Sequence, residues 1–121
     1  MRPLHLSILL AASLAPLGAT PNVAQQICKP TLAVTEARIP EARNQQRTWT
    51  GILTVDASHC STTSGQFEIE FTRLKEAAPD LRFAERFTWA LGQTKVSLEM
   101  WWDEYVQDYH VARIAPCPCR N

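Results

Sequence analysis

A chain of 121 residues, 45% hydrophobic and carrying 12 basic and 12 acidic side chains, holds one small domain with no surplus of either charge. That balance excludes a dedicated nucleic-acid surface and a polybasic membrane patch. Four cysteines in so short a chain point to covalent staples, because a domain of this size buries only a modest core.

The chain opens in the manner of an export signal. Arg2 and His5 lead into the uncharged run Leu6 to Ala19, and no acid occurs before Glu36. The run is shorter than the roughly 20 residues that span a bilayer, and Pro16 breaks it. Cleavage is expected after Ala19 or Ala24, so residues 1–24 read as a signal peptide and residues 25–121 as a single domain. The expected destination is the periplasm or beyond, with no membrane insertion once the signal is removed. Gln25-Gln26-Ile27 before Cys28 lacks the pattern that directs lipid attachment.

From there apolar residues recur with period two, the mark of half-buried strands. A strand over Leu32 to Ile39 ends at Pro40. Trp49, Gly51, Leu53 and Val55 share one face of the next, and Phe67, Ile69 and Phe71 alternate with Glu68, Glu70 and Thr72. Phe83, Phe87 and Trp89 follow, then Val96, Leu98, Met100 and Trp102, with Trp101 facing the other way. The run from Tyr105 to Ala115 is apolar on both parities, which predicts a bulge or a strand covered on both sides. Turns are expected at Ser61 to Gly65, Ala78-Pro79-Asp80, Gly92-Gln93 and Asp103-Glu104. Six or seven strands at this spacing predict an all-β antiparallel sandwich.

Trp49, the strand entry Ser64-Gly65-Gln66-Phe67-Glu68-Ile69 and the late strand Asp108-Tyr109-His110-Val111 resemble those of fibronectin type III-like or immunoglobulin-like sandwiches. The ending Ala115-Pro116-Cys117-Pro118-Cys119-Arg120 is similar to that of small exported proteins of Gram-negative bacteria. The resemblance implies a sandwich fold and a periplasmic home, and it implies no activity.

Cys117 and Cys119 stand two apart on a tail held extended by Pro116 and Pro118, so their sulfurs face one side. Four cysteines allow three pairings. A bridge between the tail cysteines closes a tiny strained ring around Pro118. The expectation is therefore that Cys117 and Cys119 take different partners, Cys28 and Cys60, in either assignment. The rival reading is a soft-metal (copper or zinc) or thiol-redox protein using Cys117 and Cys119, with His59-Cys60 or His110 completing a site.

Other side chains offer surfaces rather than chemistry. Trp101, Tyr109 and His110 are candidates for a partner surface. Arg73 and Glu85 both fall on apolar parities, and a hairpin through Pro79-Asp80 is expected to pair them as a half-buried ion pair. There is no Gly-x-Ser-x-Gly, no His-Glu-x-x-His and no glycine-rich phosphate loop. The chain thus reads as a non-enzymatic binding or interaction module with no cofactor and no metal, whose partner is a protein or glycan of the cell envelope.

Overall fold

The strand pattern is clearest where burial is most one-sided. In a computed structural model that describes residues 27–121, β4 (Ser64–Lys75) buries Phe67, Ile69 and Phe71 and leaves Glu68, Glu70 and Thr72 half-buried on the opposite face. The expected signal peptide and both cleavage positions lie outside the described residues. β4 is central in a three-stranded antiparallel sheet, flanked by β5 (Ala78–Ala90) and β7 (Glu104–Ala112). A second three-stranded sheet has β3 (Gln46–Asp56) at its centre, between β2 (Thr31–Arg38) and β6 (Lys95–Trp101). The two-residue strands β1 (Ile27–Cys28) and β8 (Cys117–Pro118) pair with each other. Among the described residues there is no helix. The chain is an all-β sandwich with two disulfides, compatible with an immunoglobulin- or fibronectin type III-like arrangement.

The two inner faces meet through aromatic rings. Trp49 on β3 is 1% exposed and stands edge-on to Phe71 of β4, with ring centroids 5.0 Å apart, and to Tyr109 of β7 at 5.2 Å. Phe71 stacks on Phe83 of β5 at 5.5 Å, and Phe67 on Phe87 at 5.7 Å. Such pairs add about 0.5–1.5 kcal/mol each beyond the area they bury. Gly65 sits opposite Trp89 in the β4–β5 register. A Cβ at Gly65 would stand 2.7 Å from the Trp89 indole nitrogen, so glycine is what lets the indole approach β4 this closely.

Three expectations are corrected. The β4–β5 reversal is made by Glu76 and Ala77, not Ala78-Pro79-Asp80, since Lys75 pairs with Ala78. Ala77 takes the left-handed conformation at φ 55°. Pro79 is tolerated inside β5 because β5 is an edge strand near whose start a missing donor disrupts no ladder. Trp102, expected in the core, is 50% exposed. β6 ends at Trp101, so alternation does not reach Trp102, which lies with Asp103 in the turn to β7. Glu104, expected in that turn, instead begins β7 and is buried. The mixed parity of the last long strand does come from a bulge: Asp108 pairs with Thr72 and Val106 with Arg73, leaving Gln107 extra. Val106 is therefore buried on the same side that Tyr109 faces.

The tail closes the structure. β8 pairs with β1 on one side, while Ser61 and Arg120 donate backbone hydrogen bonds to Pro118 and His59 at 2.9 and 2.8 Å on the other. Cys28 bonds Cys119 and Cys60 bonds Cys117, so the tail cysteines do take different partners. These bridges span sequence separations of 91 and 57 residues. In the chain-entropy model loops of that length each stabilise by about 4–5 kcal/mol.

Candidate functional site

The sequence Trp101-Trp102-Asp103-Glu104-Tyr105 carries the crossing from one sheet to the other. Strand parity sends Met100 inward and Trp101 outward at 58% exposure, and Tyr105, one residue into β7, is 51% exposed. Three large aromatic side chains, each at least half exposed, thus crowd five residues at one end of the sandwich.

What holds this crest is a carboxylate. Glu104 turns inward, and its Oε1 accepts the Trp101 backbone N–H at 2.7 Å while Oε2 accepts from the Arg73 guanidinium at 3.2 Å. Arg73 also donates to the Pro79 carbonyl at 3.2 Å, which ties the β4–β5 hairpin to the same turn. Lys75 donates to Asp103 at 2.9 Å, and that ammonium holds the Asp103 carboxyl below the ordinary range of an aspartate. The Trp102 N–H donates to the Gln45 carbonyl at 3.0 Å. The turn is therefore fixed from β3's entry, from β4 and from within itself, and its rings are presented without an ordering cost at the backbone.

The remaining candidates separate. Tyr109 is half-buried, and one side of its ring packs edge-on to Trp49 against the core. Arg73 pairs with Glu104 and not with Glu85. The hairpin register explains this: Glu85 lies opposite Ile69, and Arg73 opposite Leu81. Glu85 is exposed.

His110 is exposed on the outer face of the β5-β4-β7 sheet, its Nε2 3.1 Å from Glu70. Arg113 extends this ladder, pairing with Glu68 and standing 3.6 Å from Glu70. A shallow depression of about 370 Å³ lies here, lined by Glu70, Arg82, Asp108, His110 and Arg113 among others. Its charges are of both signs and partly paired with one another, as in a solvated sheet face.

Trp102, Tyr105 and Glu104 are the crest residues that sequence reasoning missed. The available signal was the spacing of Glu104 three residues after Trp101, which lets an acid reach back to a strand-end N–H. Among the described residues, no cluster of three His, Cys, Asp or Glu side chains is placed to hold a metal ion. No protein-family model, curated protein or solved structure matches the chain.

Proposed function

We propose that this chain is an exported, non-catalytic binding module of the cell envelope whose contact surface is the crest formed by Trp101, Trp102 and Tyr105. The observation that carries the reading is the Glu104 carboxylate, which holds the backbone of a turn bearing three exposed aromatics. Exposed apolar rings on a fixed scaffold are a recurrent feature of recognition surfaces, where tryptophan and tyrosine dominate binding energy. The partner is a protein or a glycan, both of which present faces that pack on flat rings. Export to the periplasm or outside the cell is supported by the acid-free apolar N-terminus and by two disulfides, which persist in oxidising compartments. The strand order β2-β3-β6 over β5-β4-β7 supports the fibronectin type III-like or immunoglobulin-like assignment. The soft-metal or thiol-redox alternative gains nothing from the tail, where both sulfurs are engaged in bridges.

The test compares retention of the intact domain and its Trp101→Ala/Trp102→Ala variant on purified envelope fractions, peptidoglycan and outer membrane assayed separately. A loss of about tenfold or more, with an unchanged unfolding midpoint, supports the reading. Equal retention of the two proteins overturns it.

A further inference from the structure

β5 and β6 are edge strands of different sheets, and the sandwich is open between them. The opening is a groove of about 250 Å³. Its apolar lining comes from Leu81 and Phe83 on β5 and from Leu98 and Met100 on β6. Leu81 is 46% exposed although it shares the inward parity of Phe83 and Phe87, so an apolar side chain here stands uncovered at the seam.

Charge on the groove is one-sided. Arg73 reaches it but is neutralised by Glu104. Glu85 on β5 and Glu99 on β6 also line it; both are exposed, and neither has an ion-pair partner among the described residues. The arginines of β5, Arg82 and Arg86, sit on the opposite parity with Thr72 and Glu68 across from them, and neither lines the groove. A second copy of this chain is a poor occupant, since pairing seam to seam sets like carboxylates against each other.

We propose that the groove between β5 and β6 takes an extended apolar peptide bearing lysine or arginine, added as a further strand along the open edge of β6, its apolar side chains on the Leu98 and Met100 face and its basic ones on the Glu99 face, with Glu85 across the groove adding to the attraction for a cation. An edge strand offers a row of unpaired backbone groups, which is the template for strand addition, and alternate side chains of the added strand then fall on the apolar lining. The carboxylates serve both outcomes: they repel self-association and select a cationic partner. The groove shares Arg73 and Glu104 with the base of the aromatic crest, but none of the three crest rings lines it.

The test is fluorescence anisotropy at physiological salt with three blocked, labelled seven-residue peptides. One alternates valine and lysine, one alternates valine and glutamate, and one repeats the first with backbone N-methylation. Saturable binding of the valine–lysine peptide is expected, weakened about tenfold or more by the glutamate exchange and by N-methylation. The Glu85→Gln/Glu99→Gln variant should lose a similar factor, with amide shifts of the bound wild-type protein concentrated on β5 and β6. Equal binding of the lysine and glutamate peptides, or undiminished binding of the methylated one, overturns the proposal, as does no binding at millimolar peptide. If the double variant fails to fold, the peptide series on the wild-type protein decides alone.

Discussion

Cys28 lies directly opposite Cys117 in the β1–β8 register, yet its disulfide is to Cys119, while Cys117 bonds Cys60. Cys60 in turn is the bridge partner of Cys119. The tail therefore runs between two cysteines, and each bond connects a residue to the diagonal neighbour of its backbone partner. The Cα separations of the bonded pairs, 5.1 and 5.6 Å, fall in the ordinary disulfide range.

Partial reduction at acid pH with stepwise alkylation should recover Cys28 with Cys119 and Cys60 with Cys117. Fragmentation between Cys117 and Cys119 is the step that distinguishes this from the directly opposed pairing. Recovery of Cys28 with Cys117 would contradict the structure. Removing either bridge by a paired serine exchange should lower stability by about 4 kcal/mol, read from urea unfolding.

Glu104→Ala should be the costliest exchange at the crest. It strands the Arg73 guanidinium and leaves the Trp101 N–H without its acceptor. Breaking a half-buried charge pair from one side costs about 3 kcal/mol. The double variant Arg73→Met/Glu104→Leu should lose less than the two single changes together, since it removes both charges at once. Full additivity would show that the pair does not hold the turn. Glu85→Gln, by contrast, should change the unfolding midpoint little, because Glu85 is exposed and Arg73 is engaged elsewhere.

Gly65→Ala should destabilise by about 1–3 kcal/mol through overpacking. Its new Cβ would meet the Trp89 ring at three atoms between 2.7 and 3.1 Å, and Trp89 is 1% exposed and has no room to swing away. The measurement is urea unfolding followed by tryptophan emission. Gly92→Ala offers the contrast: its Cβ meets nothing within 4 Å, so the cost there is only that of a left-handed alanine at φ 89°.

These residues also mark what was legible in the sequence. Phe67, Ile69 and Phe71 announced β4 because a central strand with one buried face carries an unbroken period of two. Alternation says which face a residue takes and not where the strand stops, so it points Trp102 inward although β6 ends at Trp101. The side that Tyr109 takes is hidden for a related reason: the bulge shifts parity, and its position at Gln107 is not written in local hydropathy. Arg73 finds Glu104 across the β4–β7 pairing, 31 residues away in sequence. That partner depends on which strand lies on the far side of β4, a long-range fact. Glu85 is the partner that sequence adjacency suggests, because a hairpin is the one strand pairing that a short connection makes evident. The cysteines were legible as a clasp because Pro116 and Pro118 fix the tail's geometry locally.

The Lys75–Asp103 contact yields a pH-dependent prediction with a definite sign. The hydrogen bond from the Lys75 ammonium, and its charge, hold the Asp103 carboxyl below its usual value of 3.8 in the folded chain. A carboxyl that is more acidic when folded favours folding once it is ionised. Its contribution is thus complete above the unfolded aspartate value and fades as acidification passes the lower folded one. Carbon-detected titration of the Asp103 carboxyl should give a midpoint below 3.8, and Lys75→Met should raise it toward that value. Because the pair is only partly buried, added salt should move the midpoint the same way. A midpoint already at the ordinary value in the wild-type chain would mean that Lys75 does not hold this side of the turn, leaving Glu104 as its sole ionic anchor.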